Sequence, residues 1–316
     1  MAVFTEVSFD EAADFVRRLG LGPLLVLKGA AGGIENTNYF VDTDRGEYVL
    51  TLFERLTFEQ LPFYLHLMKH LATRGVPVPD PVADADGHIL HALKGKPAAV
   101  VNKLRGRSEL APGPAHCRGV GDVLARLHLA GRDYPRHQPN LRGLAWWNET
   151  APLVLPHLPP AQRSLILDEL ARQNRLAASD AYQNLPRGVI HADLFRDNVM
   201  FEQGRLSGVF DFYFAGCDTF LFDIGICLND WCIDLETGEP DPRRAQALID
   251  AYQMVRPLTE HERILLPALR RAGALRFWIS RLWDFYLPRE AAVLTAHDPR
   301  HFERVLRQLP AQPDTL

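Results

Sequence analysis

The spacing of apolar residues changes near residue 105, and this change limits the fold more than any other feature of the chain. Before it, apolar runs are short and strand-like, at 24–27, around 38–42 and at 47–53, with Asp44-Arg45-Gly46 between the last two reading as a hairpin turn. Two further short strands are expected around 88–91 and 97–104, after a proline-stiffened connector, "VPVPDPV". Helical spacing interrupts this half in two places. Residues 8–19 begin with Ser8 and Glu11 at capping-box separation, and 58–74 carries Pro62 near its front, where a helix tolerates it. From about residue 115 the 3.6-residue period dominates, in 115–131, 162–179 and 243–287. Strands followed by helices imply an α+β protein rather than mixed layers. The expected organisation is a small antiparallel sheet with one main helix over 1–101, a link at 102–106, and a larger, mainly helical lobe over 107–316.

Within the helical half, one stretch departs from the pattern. "VIHADLFRDNVMF" (189–201) places His191, Asp193, Asp197 and Asn198 directly after a short apolar run. Residues 198–201 suit a strand, "EQG" a turn, and 206–210 a second strand. If Phe201 pairs with Leu206, Asn198 lies opposite Val209, and Asp211 becomes its diagonal neighbour on the same face, at about 7–8 Å. Two oxygen ligands so placed would converge on Mg²⁺. Asp193, on the loop entering this hairpin, is placed to orient a substrate hydroxyl and accept its proton. His191 is expected to brace the loop, and Asp197 to serve turn structure. Metal plus base is what phosphoryl transfer requires.

Composition removes several other classes. A net charge of -4 argues against a nucleic-acid partner, which needs a basic footprint. No run of about 18 apolar residues offers a membrane span, and acidic residues occupy the N-terminal stretch where a signal peptide would be basic and then apolar. The four cysteines show neither metal-ligand nor C-x-x-C spacing, which fits a reducing, cytoplasmic setting.

"HADLFRDN" followed by "GVFDF" and "CDTFLFDIGICLNDW" resembles the catalytic segments of the aminoglycoside phosphotransferase and choline kinase superfamily, which are small-molecule kinases with a protein-kinase-like, two-lobed fold. The resemblance implies ATP and Mg²⁺, with Asp193 as base, Asn198 and Asp211 as metal ligands, and Asp223 as structural support of the catalytic loop together with His191. Gly32 and Gly33, with Asn36 and Asn38, would meet the ATP phosphates, and the main chain from Val101 to Lys103 would meet adenine. No P-loop or G-x-G-x-x-G motif is present. The third strand, "YVLTLFE", also departs from the superfamily pattern by carrying Thr51 where a phosphate-contacting Lys is expected. Asn36, Asn38 or Lys28 are the candidates to compensate.

"GGIENTNYFVDT", "GLAWW" and "RAGALRFWISRLWDFYLPRE" resemble one branch of that superfamily more specifically, the bacterial homoserine kinases. The implied acceptor is L-homoserine and the implied setting threonine biosynthesis. On one face of the helix around 276–284, Arg276 suits a carboxylate and Asp284 an ammonium, with Trp283 beside them. An Arg281–Asp284 surface pair on a packing helix is the other reading of the same stretch, and Trp146 and Trp147 are either pocket walls or packing residues. The competing activities are phosphorylation of another alcohol (an aminoglycoside, choline or methylthioribose), metal-dependent phosphate hydrolysis, and nucleotide binding without turnover. Oligomeric state has no signature in the sequence.

Overall fold

The structure, a computed structural model, describes residues 5–30, 36–287 and 298–310. It divides into two compact units, Met1–Gly106 with Ser207–Phe210, and Arg107–Leu206 with Asp211–Leu316.

The first unit begins with α1 (Phe9–Arg18). Ser8 accepts from the Glu11 N–H, and the Glu11 side chain returns the bond, as the spacing predicts. Strands β1 (Leu24–Gly29), β2 (Asn36–Thr43) and β3 (Gly46–Phe53) form the expected meander, followed by α2 (Leu61–Thr73), β4 (His91–Leu93) and β5 (Lys96–Asn102). All pair antiparallel in the order β1-β2-β3-β5-β4. The last two strands are displaced by a few residues from their expected places, because a tight turn with Lys94 and Gly95 at positive φ joins them.

Strand alternation sorts the sheet into two faces. Tyr39, Val41, Leu50, Leu52, Ala98 and Val100 pack against Ala12, Phe15 and Val16 of α1. The β2–β3 register sets Asn38 opposite Thr51 and Phe40 opposite Val49, while Lys28 faces Phe40 and Val101 faces Val49. Lys28, Asn36, Asn38, Thr51 and Val101 therefore share the other face. The Lys103 ammonium lies 5.3 Å over the Phe40 ring on that side.

The second unit contains α3 (Pro114–Ala130), α4 (Leu144–Val154), α5 (Pro160–Ala177), α6 (Asp180–Gln183), β6 (Arg187–Ile190), β7 (Val199–Glu202), the start of β8 (Arg205–Val209), whose residues from Ser207 on belong to the first unit, β9 (Gly216–Thr219), α7 (Phe220–Trp231), α8 (Pro242–Val255), α9 (Glu260–Tyr286) and α10 (Arg300–Gln308). Strands β6 and β9 pair with each other, as do β7 and β8. Every residue of α7 is buried, so this helix forms the centre of the unit, against α9. The two helices approach so closely that a Cβ on Gly225 would sit 2.8 Å from the Leu269 carbonyl oxygen. Near the middle of α9, Arg271 donates to Glu169 of α5 at 2.8 and 2.5 Å and to the carbonyls of Leu306 and Leu309 at 3.2 and 2.7 Å, fastening α10.

Candidate active site

An apolar helix centre accommodates polar residues only when they are paired, and α7 carries three, Asp223, Asn229 and Asp230. Two of them hold the loop after β6. The Asp223 carboxylate accepts from the His191 N–H at 2.7 Å and the Ala192 N–H at 2.9 Å, and lies 3.1 Å from His128 Nε2. Although burial opposes its charge, these bonds and the His128 ring hold its pKa below the ordinary carboxylate value. His128 Nδ1 in turn meets the Tyr252 hydroxyl at 2.7 Å, so the neutral ring donates from Nε2 to Asp223 and accepts at Nδ1. Ala192 has φ +63°, an unfavourable conformation for a residue with a Cβ, and the Asp223 bond falls on its N–H. Farther along the loop, Asp230 accepts from the Arg196 N–H at 2.8 Å and from its Nε at 3.2 Å. His191 is fully buried, packs 4.6 Å from the Phe212 ring and accepts the Asp193 N–H at Nδ1, 3.3 Å away, which is a bracing geometry.

Between these anchors Asp193 keeps partial exposure. Its carbonyl accepts from Asn198 Nδ2 at 2.8 Å and from the Phe195 N–H at 2.8 Å, and its Oδ2 lies 3.2 Å from Asn198 Nδ2. Burial pushes the Asp193 carboxyl well above its ordinary pKa, against the pull of Arg276, and the neighbouring charges of Asp211 and Asp197 add to the rise. A more basic carboxylate is a better proton acceptor.

The route by which Asn198 meets Asp211 differs from the ladder expected above. Asn198 closes a 3-10 turn over Arg196–Asn198, and β7 begins one residue later, while Asp211 lies beyond the end of β8 with φ +65°. The Asn198 N–H bonds to the Phe195 carbonyl, and its amide bonds back to Asp193, which takes it out of any strand register. The two residues therefore flank the hairpin and are not partners within it. The donor set still suits a hard divalent cation. With Nδ2 committed to Asp193, the Asn198 amide presents Oδ1 as an acceptor, and a cation would relieve the charge of Asp211 and Asp197 that adds to the rise in the Asp193 pKa. Asp197 is exposed, and its carbonyl accepts from the Ser108 hydroxyl at 3.1 Å, in keeping with a turn role.

On the outward face of the five-stranded sheet, the Thr51 hydroxyl donates to Asn38 Oδ1 at 2.7 Å. The Asn38 amide oxygen is thereby engaged, and its Nδ2 is turned the other way as a donor. Lys28, by contrast, lies exposed two strands from Thr51. The Lys103 N–H donates to the Glu47 carbonyl at 3.0 Å, and its ammonium pairs with Glu47 at 2.7 Å. Gly32 and Gly33 lie outside the described residues.

Arg276 has only 2% of its surface exposed, and its Nε and Nη2 have no hydrogen-bond partner. Its guanidinium carbon stands 5.1 Å over the Phe214 ring and 3.7 Å over that of Phe277. Burial pushes its pKa down to about 10, opposed by Asp193 and Asp284 and reinforced by Arg142. Trp283 lies on the same face of α9, and Asp284 beside it is exposed. Arg281 does not reach for Asp284. It stands 4.5 Å over the Phe302 ring and donates to the Asp298 carbonyl at 3.4 Å. The two adjacent tryptophans of α4 have different surroundings. Trp147 is buried with its ring 5.8 Å from Phe222, whereas Trp146 stacks on Trp283 at 5.5 Å. The sequence reading missed two residues, Arg142 beside these rings and His128 behind Asp223. In helical register His128 reads as one more core position.

Comparison with known proteins places these features in a wider group. The model of the phosphotransferase enzyme family matches residues 26–263. The chain is 78% identical over 316 residues to the homoserine kinase of Polaromonas naphthalenivorans (strain CJ2), covering 100% of both chains. It is 57% identical over 307 residues to that of Janthinobacterium sp. (strain Marseille), covering 97% of this chain and 95% of the relative. Among solved structures, the amicoumacin kinase hAmiN in complex with AMP-PNP, Ca²⁺ and Ami superposes with a TM-score of 0.70 at 18% identity, over 96% of this chain and 95% of that one. A spectinomycin phosphotransferase in complex with ADP and spectinomycin gives 0.69 at 10% identity, over 98% and 96%. These two likenesses concern the fold.

Proposed function

The chain belongs to the phosphotransferase enzyme family, and from that premise we propose that it is an ATP-dependent, cytoplasmic homoserine kinase acting in threonine biosynthesis. The reaction joins the side-chain oxygen of L-homoserine to the γ-phosphorus of ATP. The bond from that phosphorus to the bridging oxygen breaks, ADP leaves with the electron pair, and the hydroxyl proton passes to Asp193. The products are O-phospho-L-homoserine and ADP.

Asp193 carries the reading. Its main chain is fixed through Asn198, Phe195 and His191, while the residue keeps partial exposure and burial makes its carboxylate unusually basic, as a group receiving a hydroxyl proton should be. Asn198 through Oδ1 and Asp211 through its carboxylate would hold Mg²⁺. When bound, the ion would neutralise charge on the phosphate oxygens. Asn38, oriented by Thr51, would donate to phosphate, supported by Asn36 and the Gly32–Gly33 stretch, and the main chain of Val101 to Lys103 would meet adenine. On the acceptor side, Arg276 would take the α-carboxylate, Asp284 the ammonium, and Trp283 would wall the carbon chain. The full-length identity to enzymes named homoserine kinases supports the choice of acceptor.

The test is ADP release with Mg·ATP and L-homoserine, in wild type and Asp193→Asn. The variant should bind ATP with unchanged affinity and lose turnover by a factor of ~10³ or more, within the range attributed to general-base catalysis. Full activity in the variant would remove Asp193 from this role.

A further inference from the structure

Arg276 is a buried cation with one edge left open. The residue is 2% exposed, and its Nε and Nη2 are buried without a hydrogen-bond partner. These two nitrogens lie along the same edge of the planar guanidinium, the edge that grips two oxygens of one anion side by side. Among the described residues the guanidinium stands over two rings and within ion-pair distance of no carboxylate. A charged group left this way in the interior is costly unless a ligand completes it.

The two rings fix where that edge lies. Phe277, 3.7 Å from the guanidinium carbon, packs at 4.5 Å against Phe195, two residues after Asp193. Phe214, at 5.1 Å, lies three residues after Asp211. Arg276 is therefore wedged between the segment carrying the proton acceptor and the segment carrying a metal ligand. Burial works against the charge of both Arg276 and Asp193, and the attraction between them works for it. An anion on Arg276 thus belongs to a molecule whose reacting group lies at Asp193.

Asp284, the group assigned to the ammonium, has the opposite setting. It is exposed on α9, where water screens an ion pair. An exposed pair contributes a factor of ~1–5 in affinity, whereas a charge-assisted bond to a buried guanidinium contributes ~10–100-fold. The carboxylate end of the acceptor is held far more firmly than its ammonium end.

Building on the homoserine kinase reading, we propose that the Nε–Nη2 edge of Arg276 is the main element of acceptor recognition and that the α-amino group is dispensable, so that the enzyme also phosphorylates 4-hydroxybutanoate. The hydroxyl oxygen of that acceptor takes the γ-phosphoryl group of ATP, ADP leaves with the electron pair of the bridging bond, and the hydroxyl proton passes to Asp193. A nucleotide phosphate offers the same anionic oxygens. The carboxylate is favoured because the open edge lies under aromatic cover, which suits a small planar group on an apolar chain better than a hydrated triphosphate.

The experiment compares kcat/KM for L-homoserine, for 4-hydroxybutanoate, which lacks the ammonium, and for 3-aminopropan-1-ol, which lacks the carboxylate. Wild type, Arg276→Gln and Arg276→Lys are assayed, with ATP affinity and thermal unfolding measured alongside; the wild-type comparison requires no variant. Wild type should use 4-hydroxybutanoate within ~5-fold of homoserine and 3-aminopropan-1-ol at least ~100-fold less well. Arg276→Gln should lower kcat/KM ~100-fold for the two carboxylates, leave 3-aminopropan-1-ol within ~3-fold and leave ATP affinity unchanged, with Arg276→Lys in between. Turnover of homoserine with rejection of 4-hydroxybutanoate overturns the inference and leaves the homoserine kinase reading standing. So does an Arg276→Gln variant in which all three acceptors lose equally and ATP affinity falls, which would place the edge at phosphate. Turnover of another class of alcohol with none for homoserine removes the reading itself, and the inference with it.

Discussion

Replacing Asp223 by Asn removes one charge and leaves shape and volume almost unchanged, so its effect isolates what the carboxylate holds. Asp223 accepts from the His191 N–H at 2.7 Å, the Ala192 N–H at 2.9 Å and His128 Nε2 at 3.1 Å, using both oxygens. An amide has one acceptor oxygen. If that oxygen keeps His191 and His128, the new NH₂ faces the Ala192 N–H, donor against donor, in a fully buried site. The loss of one charge-assisted bond, at about 1.5–3 kcal/mol, and one stranded N–H, at about 1–3 kcal/mol, totals about 2.5–6 kcal/mol. Ala192, at φ +63°, carries roughly 1–2 kcal/mol of backbone strain that this bond holds in place. Without it the peptide relaxes and Asp193, the next residue, shifts. A displacement of about 1 Å at a reacting group costs ~100-fold in rate. Urea unfolding and ADP release together are the assay. The variant should lose about 2.5–6 kcal/mol of stability and ~100-fold in kcat, with little change in KM for ATP. Stability within about 0.5 kcal/mol of wild type and kcat within about twofold would refute the reasoning, because the loop would then be held by something else.

Three further outcomes follow from the same geometry. Arg271→Met strands the Glu169 carboxylate in the core and should destabilise by about 3–5 kcal/mol in urea, whereas Arg271→Met with Glu169→Gln should recover a large part of the loss. His301 is pushed down to about 4 by burial, with Arg281 and Arg304 adding to the shift. Its folded pKa lies below its unfolded value, so the stability it contributes is complete above about pH 6.5 and is lost as pH falls toward about 4. Melting temperature should drop over that window, less steeply in His301→Gln. Asn38→Ala should raise KM for ATP by ~10-fold, as loss of one charge-assisted hydrogen bond implies, without altering the preference among acceptors, and Thr51→Val should show a weaker form of the same defect.

Features that depend on neighbours in sequence were legible before the fold was known. The Ser8–Glu11 capping box is a local exchange of hydrogen bonds, and the hairpin turn at Asp44-Arg45-Gly46 implies the register that brings Asn38 to Thr51. The chemical types at 193, 198 and 211 were legible too, but their geometry was not. The Asn198 amide turns back to Asp193 instead of continuing a strand, and strand periodicity carries no sign of a side chain that bonds to its own loop. Arg142 and His128 were hidden for a different reason. Arg142 gains its setting only when the loop before α4 meets α9, and His128 looks like any core position of α3 until Asp223 and Tyr252 arrive from α7 and α8. In this chain, contacts joining distant segments set the surroundings of Arg142 and His128, and local patterns define the loop.

The most direct test of the central claim is a parallel screen of ADP release from Mg·ATP with L-homoserine, choline, methylthioribose and kanamycin as acceptors, followed by identification of the phosphorylated product. The account predicts rapid release with L-homoserine alone and a product phosphorylated on the side-chain oxygen. Turnover with one of the other alcohols and none with homoserine would contradict it.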